Sequence, residues 1–360
     1  MNDKAIQRPT AENLYRHELE ILREWDPGPA PPGWNLSPLA VEKFVLGDPE
    51  LGVERKFVGQ REQITRIIIS LATNRGAMLI GEPGTAKSWL SELLSAAISG
   101  QSTLTIQGGA LTNINQLLYS WNEALISTRG PCAEALIPSP IYQGMRDGQL
   151  VRFEEIARCP QPIQDAILSI MSERQIMVPE LGKDGLLFAR EGFNIIATSN
   201  SLDRGVNAMS AALKRRMNFE TIPPIRDLQD EINVVLRESE KLIRLSGVDV
   251  KPDPVTIEVL TTIFHELRNG QTLDGRSTDR LAASVMSTAE AVSVAHAMGV
   301  HAFYYSRGKM SLDGLVHFLV GASLKDNKDD RRRMKHYFET EVAIKSGDHW
   351  LQVYKQRQLL

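Results

Sequence analysis

Short apolar runs alternate with amphipathic segments along the chain from Phe57 to residue 222. The segments with apolar residues three and four positions apart, which predict helices, are 61–73, 87–99 and 161–176. The apolar runs between and after them, which predict strands, are 76–80, 102–107, 149–153, 193–199 and 218–222. Short strands that alternate with helices are typical of a parallel sheet covered by helices on both faces, so we expect an α/β fold.

The strand pattern fades after Pro223. Apolar residues then repeat at helical spacing, and Pro254 and Gly270 mark the start and the end of one predicted helix. The predicted helical segments are 227–247, 253–270, 277–299 and 311–324. We therefore expect a separate all-helical domain over 223–325, followed by a charged helical tail over 326–360.

The first 48 residues, 1–48, form an extension before the α/β domain, which we place at 49–222. Residues 12–25 mix apolar and charged residues at helical spacing, which predicts a helix. The next stretch, DPGPAPPGWNLSP at 26–38, is rich in proline and glycine and is expected to lie extended along a surface. Two roles stay open for this stretch: it is either a strap that docks on a neighbour or a plain linker.

The composition narrows the class of protein. Of 360 residues, 42% are hydrophobic and 24% are charged, which suits a globular protein with a substantial core. A net charge of −3 argues against general binding to nucleic acid, without excluding a local basic patch. Cys132 and Cys159 are too few for a disulfide framework or a metal ligand set. The start of the chain lacks an apolar signal region and no apolar run approaches the roughly 20 residues of a membrane helix, so we expect a cytoplasmic protein.

The segment LIGEPGTAKSWL at 79–90 resembles a phosphate-binding loop between a strand and a helix. The usual pattern is a glycine, four residues, a second glycine, a lysine and then Ser or Thr. Gly81, Lys87 and Ser88 fit it, whereas Ala86 stands where the second glycine is expected. In such a loop backbone N–H groups and the helix N-terminus hold phosphates, the lysine reaches the β- and γ-phosphates, and the hydroxyl ligates Mg²⁺.

We expect Ala86 to be tolerated if the chain is already helical at that position, because alanine is the better helix former. The residues expected to contact nucleotide in this loop are Gly81, Glu82, Pro83, Gly84, Thr85, Ala86, Lys87, Ser88 and Trp89. The alternative is an ordinary strand–helix turn whose lysine is only solvated.

An acidic pair, Glu154 and Glu155, follows the predicted strand at 149–153. Ligands of open α/β sheets bind at the carboxyl ends of the strands, where this pair lies. A nucleotide hydrolase needs one acidic residue there on the metal side and one that polarises the attacking water. By position, Glu154 takes the first role and Glu155 the second. A solvent-facing acidic pair at a strand end is the alternative.

Five further residues are candidates for contact with the nucleotide, and some of them are alternatives to one another. Asn200 ends the strand at 193–199 and can hydrogen-bond the γ-phosphate or the attacking water, although it also suits a turn. Arg215 and Arg216 are candidates for an arginine that is donated to a neighbouring subunit, or they complement a helix end. Arg276, in LDGRSTDRL, is placed to reach nucleotide from the helical domain, with Arg280 as the competing choice.

These pieces, in this order, resemble the MoxR family of AAA+ ATPases over roughly residues 55–325. The matching motifs are FVGQ, GEPGTAKS, EEIARCPQPIQDAILSIMSERQI, IIATSN, ALKRRMNF and LDGRS. Within the family the chain is most similar to the YehL-like subgroup. The resemblance implies a five-stranded parallel sheet between helices, followed by an all-helical lid domain.

The resemblance also implies roles for residues, with ATP and Mg²⁺ as cofactors. Gly59 and Gln60 are expected near the adenine. Asn200 corresponds to sensor 1, Arg276 to sensor 2, and Arg216 to the finger donated in trans, with Arg215 as its alternative. Glu154 departs from the aspartate that the family usually has, and its extra methylene puts the rate of hydrolysis in doubt more than ATP binding.

The family further implies a ring, usually a hexamer, and a client protein, often with a von Willebrand factor A-domain partner. Two insertions are typical of the helix-2-insert clade, one at 110–148 and one at 177–192. The second predicts a β-hairpin with its tip at 182–185. In the family such loops face the central pore and contact substrates, and ordinary surface excursions are the alternative.

Three functions stay open from the sequence. The first is an ATP-driven motor that remodels, activates or matures partner proteins. The second is an ATP-binding regulatory or scaffold subunit with weak hydrolysis. The third, a motor directed to nucleic acid, is disfavoured by the absence of a basic excess; the basic run at 331–336 follows Asp329 and Asp330 and suits a solvated helix face.

Overall fold

The computed structural model describes residues 7–111, 113–200, 209–282, 286–324 and 327–360, without the side chains of Ala322 and Ser323. The first residues of the extension, one position of the first insertion, the residues directly after Asn200 and the predicted boundary at 325–326 lie outside this part of the chain. The chain forms two compact units. One comprises the residues up to Gly81 together with Lys87–Ile222, and the other comprises Glu82–Ala86 and Pro223–Leu360.

A five-stranded parallel sheet organises the first unit. The strands of this unit are β1 (Gly76–Gly81), β2 (Thr105–Gln107), β3 (Tyr119–Trp121), β4 (Leu136–Pro138), β5 (Leu150–Glu154), β6 (Gln175–Met177), β7 (Leu186–Phe188), β8 (Asn194–Asn200) and β9 (Met217–Thr221). The sheet has the order β2-β5-β8-β1-β9, and every neighbouring pair is parallel. The α/β fold predicted from the alternating pattern is therefore confirmed.

Over the described residues, ten helices belong to the same unit. They are α1 (Ala11–Leu14), α2 (Arg16–Trp25), α3 (Pro38–Leu46), α4 (Arg61–Leu71), α5 (Lys87–Ser99), α6 (Ile114–Leu118), α7 (Glu123–Arg129), α8 (Pro140–Asp147), α9 (Gln161–Glu173) and α10 (Ala211–Lys214). Ser37 caps α3 by accepting from the backbone N–H of Ala40, and proline follows it at the first helical position, where the missing N–H costs no hydrogen bond.

Side chains alternate between the two faces of the sheet. On β1, Ala77 and Leu79 join the core on one face, whereas Met78 joins the core on the other. On β8, Ile196 belongs to the first of these cores, and Ile195 and Ala197 belong to the second. The period of two residues places one apolar layer on each side, so both faces of the sheet are covered.

The N-terminal extension is part of the first core. Leu19 and Leu22 of α2 and Phe44 of α3 are buried in the same apolar cluster as the inner faces of α4 and α5. Trp34, in the proline-rich stretch, is buried there as well. The Asp26 carboxylate accepts from the backbone N–H and the hydroxyl of Ser37, at 2.6 and 2.5 Å, and closes the stretch on itself. The segment predicted to run along a surface thus contributes buried side chains.

Both insertions contain a short antiparallel hairpin. In the first, β3 pairs with β4. In the second, β6 pairs with β7, which confirms the predicted hairpin, although its first strand begins at Gln175 and 3₁₀ turns over Pro179–Gly185 join the two strands. The Tyr119 hydroxyl donates to the Glu180 carboxylate at 2.9 Å, so the two insertions contact each other.

The second unit is helical. Its helices are α11 (Leu228–Leu245), α12 (Pro254–Asn269), α13 (Thr288–Tyr305), α14 (Leu315–Leu319), α15 (Lys328–Thr340) and α16 (Asp348–Lys355). Phe338 of α15 and Val353 of α16 are buried in the same cluster as the inner faces of α11, α12 and α13. The predicted tail and the predicted lid therefore share one core. None of the helices that the structure describes combines the length and the apolar character needed to cross a membrane.

The buried position of α2 gives a test of the N-terminal packing. Leu22 is fully buried, whereas Leu14 on α1 is 44% exposed. We expect Leu22→Ala to lower the free energy of unfolding by about 2–5 kcal/mol, because it removes buried methyl groups and leaves a cavity. Leu14→Ala should change it by less than about 0.5 kcal/mol. Urea unfolding checks both, and equal small effects would show that α2 is not part of the core.

Candidate functional site

Three of the predicted site residues lie where β1, β5 and β8 end. Gly81, the last residue of β1, pairs in parallel register with Asn200, the last residue of β8. Glu154 ends β5, and its carboxylate accepts from the Thr198 hydroxyl on β8 at 2.7 Å. The structure thus brings three of the strand-end positions selected from the sequence to one edge of the sheet, the edge at which α/β proteins bind ligands.

Lys87 begins α5, directly after the loop. It is only 6% exposed, and its ammonium donates to the carbonyl oxygen of Gly81 at 3.1 Å. The ammonium is therefore held beside the end of β1, not extended into solvent as in an ordinary strand–helix turn. Ser88 is the next residue of α5, and Trp89 packs partly buried against Tyr15, which lies between α1 and α2.

The backbone at Ala86 corrects the reason given for its tolerance. Its φ is +61°, which is the left-handed region and not a helical conformation. An alanine there costs roughly 1–2 kcal/mol relative to a right-handed conformation. Gly84, two residues earlier, has φ +77°. The loop therefore turns through left-handed residues before α5 starts at Lys87, and alanine is accommodated with strain.

Four side chains hold the Glu154 carboxylate. Ser88 and Thr198 donate to Oε2 at 2.6 and 2.7 Å, and Ser91 and Arg152 donate to Oε1 at 2.9 and 3.0 Å. Glu154 itself is only 4% exposed. Both carboxylate oxygens are thus fixed by donors from α5, β5 and β8.

Glu154 is ionised at neutral pH. Burial by itself would raise the pKa of its carboxyl, but the hydrogen bonds from Ser88 and Thr198, the positive charge of Arg152 and the hydrogen bond from Ser91 together lower that pKa. An ionised carboxylate beside a serine hydroxyl is a pair of hard oxygen donors, the kind that Mg²⁺ takes in proteins. The residues present therefore fit the predicted metal side of a nucleotide site.

A cation at this place would need further ligands. Over the described ranges, no group of three or more His, Cys, Asp or Glu side chains is arranged to hold a metal ion. Mg²⁺ is usually bound through one or two protein oxygens together with phosphate oxygens and water. The pair formed by Ser88 and Glu154 suits a metal that arrives with a nucleotide.

Arg152 was not among the residues predicted from the sequence. It lies two positions before Glu154 on β5, so both side chains point to the same face of the sheet. Its guanidinium is buried and lies 3.6 Å from the buried carboxylate of Glu92. In the sequence, Arg152 is the single charged residue within the apolar strand LVRF. Because an unpaired charge is too costly to bury, a charge at that position indicates a buried ion pair.

Glu155 occupies a different environment from Glu154. Its φ is +55°, and its side chain is 37% exposed, with Oε2 3.0 Å from Nε of Arg158. Gly108 lies opposite this turn. A side chain does not fit there, because an added Cβ would lie 2.3 Å from the Glu155 carbonyl oxygen. The left-handed turn separates a buried carboxylate from a half-exposed one, and strained backbone of this kind often marks a functional site.

Apart from the half-buried Gly59, the remaining predicted residues of the first unit lie at exposed positions. Arg215 and Arg216 follow α10, both exposed, and Nε of Arg216 donates to the Ser172 hydroxyl at 3.1 Å. Gly59 and Gln60 precede α4, with Gln60 at its N-cap. These placements leave the arginines accessible to another molecule.

The two arginines of the LDGRSTDRL segment have different partners. Arg276 donates to the Glu341 carboxylate at 2.9 Å and lies 3.5 Å from Asp274, and the hydrogen bond to Glu341 raises its pKa. Arg280 instead lies 3.9 Å from the carboxylate of Glu82, a residue of the phosphate-loop segment. Arg276 is thus held by the tail, whereas Arg280 is the one beside a predicted nucleotide contact.

The left-handed backbone at residue 86 gives a test. We expect Ala86→Gly to maintain or raise the free energy of unfolding, by up to about 1 kcal/mol, because glycine adopts this conformation without a Cβ penalty. In α9, Ala166→Gly is the matched control and should lower it by about 1 kcal/mol. Urea unfolding measures both. A loss for Ala86→Gly as large as that of the control would contradict the left-handed assignment.

Comparison with known proteins agrees with this geometry. Residues 76–217 match the AAA domain of the dynein-related subfamily, and residues 229–360 match the C-terminal domain of YehL-like AAA+ ATPases. The uncharacterized protein YehL of Escherichia coli K12 is 50% identical over 357 residues, which cover 99% of this chain and 98% of that protein.

Two more distant similarities were found. Chaperone MoxR1 of Mycobacterium tuberculosis is 24% identical over 58% of this chain and 52% of that protein. A RuvB variant from Thermotoga maritima is 13% identical, with a TM-score of 0.47 over 79% of this chain and 78% of that one. The resemblance to MoxR-type proteins and to the YehL-like subgroup is confirmed. The chain belongs to the YehL-like family of AAA+ ATPases.

Proposed function

We propose that the protein is a Mg²⁺-dependent ATPase of MoxR type, which works in a ring and uses hydrolysis to remodel, activate or mature partner proteins. The observation that supports this best is the fixed pair formed by the Ser88 hydroxyl and the ionised Glu154 carboxylate, 2.6 Å apart. Lys87 begins the same helix, so metal-side oxygens and a phosphate-binding cation lie at one strand–helix junction.

ATP binding uses the loop and the start of α5. The backbone N–H groups of residues 81–88, other than Pro83, and the N-terminal end of α5 attract phosphate oxygens. Lys87 exchanges its bond to the Gly81 carbonyl for one to the β- and γ-phosphates. Ser88 and Glu154 would hold the Mg²⁺, which neutralises charge on the phosphates when bound. Gly59 and Gln60 stay the residues proposed to lie near the adenine.

Hydrolysis needs a base that water can reach. Glu155 suits this role because its carboxylate is half exposed, whereas Glu154 is buried and has its oxygens occupied by donors. Asn200 ends the neighbouring strand in register with Gly81 and is proposed to orient the γ-phosphate or the attacking water. The two acids therefore divide the chemistry between metal binding and water activation.

The exposed arginines support a site shared between subunits. Arg216, with Arg215 as the alternative, is proposed to reach the γ-phosphate of a neighbouring subunit. For the helical unit, Arg276 stays the proposed arginine and Arg280 its alternative; Arg276 donates to Glu341, and Arg280 lies 3.9 Å from Glu82. A positive charge beside the γ-phosphate during hydrolysis stabilises the charge that develops on the transferred phosphoryl group.

The proposed action on partner proteins is supported by the similarity to MoxR1, which is named a chaperone. Large apolar side chains are exposed on the second insertion, at Met177, Leu186 and Phe188, and suit contact with protein. A partner with a von Willebrand factor A domain is proposed from the family resemblance. The competing function, a regulatory subunit with weak hydrolysis, predicts ATP binding with little turnover.

The division of roles between the two acids gives a test. We expect Glu155→Gln to bind ATP normally and to lose turnover by about 10²–10⁴-fold, because only the group that activates water is removed. Phosphate release and equilibrium binding of ATP measure the two effects. Glu173→Gln, an exposed change at the end of α9, is the control and should leave both unchanged. Unaltered turnover in Glu155→Gln would refute the role of this residue.

The shared site gives a second test. We expect Arg216→Ala to keep its ATP affinity while turnover falls by about 10³–10⁵-fold, the range found for other arginine fingers. Mixing it with Lys87→Ala subunits should restore part of the turnover, because each mixed interface can combine an intact loop with an intact arginine. The same mixture made with Arg215→Ala tells the two arginines apart. No recovery at any ratio, for either arginine, would contradict a finger acting in trans.

A further inference from the structure

We propose that Arg152 positions Glu154 for binding the metal, so that the arginine and the glutamate at 154 work as a matched pair. The proposal rests on the proposed ATPase function and adds a positioning residue to it. It also gives a physical account of the glutamate that stands where an aspartate is usual.

The guanidinium of Arg152 joins β5 to the first turn of α5. One terminal nitrogen, Nη2, donates to Oε1 of Glu154 at 3.0 Å and to the carbonyl oxygen of Ser88 at 2.9 Å. Nε donates to the Ser91 hydroxyl at 3.0 Å, and Nη1 donates to the carbonyl oxygen of Ser102 at 3.1 Å. Only a planar fork with several N–H groups can make these bonds together, which distinguishes arginine from lysine here.

These bonds divide the two carboxylate oxygens of Glu154 between different tasks. Arg152 and Ser91 hold Oε1, while Oε2 accepts from the hydroxyls of Thr198 and of Ser88, the other proposed metal ligand. A glutamate can span both sets of donors because its side chain is one methylene longer than that of aspartate. The arginine therefore fixes which oxygen the glutamate presents to the metal.

Arg152 lies in a cluster of buried charges. Arg152 lies between Glu154 and Glu92, all three buried, so the cluster holds two negative charges and one positive charge. Arg8 pairs with Glu92 from the exposed side at 2.7 Å. With Arg8 counted, two guanidinium groups face two carboxylates, and Arg152 is the one that lies beside both Glu92 and Glu154.

A purely structural role makes a different prediction. If Arg152 only neutralised buried carboxylates, replacing it by another cation would change stability and leave metal binding unaltered. If it positions Glu154, a cation without the fork would weaken metal binding specifically. Arg152→Lys separates the two roles because it keeps the charge and loses the planar set of donors.

The experiment measures Mn²⁺ binding to the complex of the full chain with ADP, by the electron paramagnetic resonance signal of free Mn²⁺. Affinity for ADP alone is measured with excess EDTA. For Arg152→Lys we expect the Mn²⁺ dissociation constant to rise about tenfold, as for other residues that orient metal ligands, with the metal-free ADP affinity unchanged. Arg66→Lys is the matched control, since Arg66 also holds a glutamate through two bonds, to Glu220 at 2.6 and 2.9 Å, and should leave both values unchanged.

Ser91→Ala provides a second variant, without a change of charge, if Arg152→Lys does not fold. It removes the other donor to Oε1 and should weaken Mn²⁺ binding in the same direction. Unchanged Mn²⁺ binding in the folded variants, or an equal loss of metal-free ADP affinity, would overturn the positioning role. Absence of ADP binding by the unaltered protein would instead overturn the proposed function, and this role with it.

Discussion

The buried carboxylate of Glu154 is the interaction on which the rest of the site depends. It ends one strand of the sheet and accepts hydrogen bonds from α5, from β8 and from Arg152 of its own strand. Burying an ionised group is costly unless donors surround it, so these contacts have to form together. They fix the distance between the strand ends and the start of α5, where Lys87 and Ser88 lie. The same bonds that keep the carboxylate ionised therefore build the predicted phosphate and metal positions.

Much of the fold could be predicted from the sequence, because alternation of apolar runs and amphipathic segments directly reflects burial on two faces of a sheet. The parallel order of strands brought Gly81, Glu154 and Asn200 to one edge as expected. The prediction for the proline-rich stretch was wrong, because local composition shows that the stretch cannot form a helix but does not show whether its side chains are buried. Trp34 packs into the core through tertiary contacts that no local pattern contains.

Within the site, residue types were easier to predict than conformations and partners. Helix propensity was the reason given for Ala86, yet the backbone at this residue is left-handed. The residue type alone does not reveal that conformation. Arg152 was visible only as a charge in an apolar strand, and its partners are Ser88, Ser91 and Glu92, residues distant from it in sequence. Arg276 matched a family motif, but its pairing with Glu341 depends on how the tail packs on the helical unit.

The most direct test of the central claim is ATP hydrolysis by the unaltered protein, measured as phosphate release with Mg²⁺ and with excess EDTA, alongside equilibrium binding of ATP. If Ser88 and Glu154 form the metal side of a working nucleotide site, turnover should require the metal and saturate with ATP. Binding of ATP without metal-dependent turnover above the uncatalysed rate would contradict the account and favour a regulatory subunit.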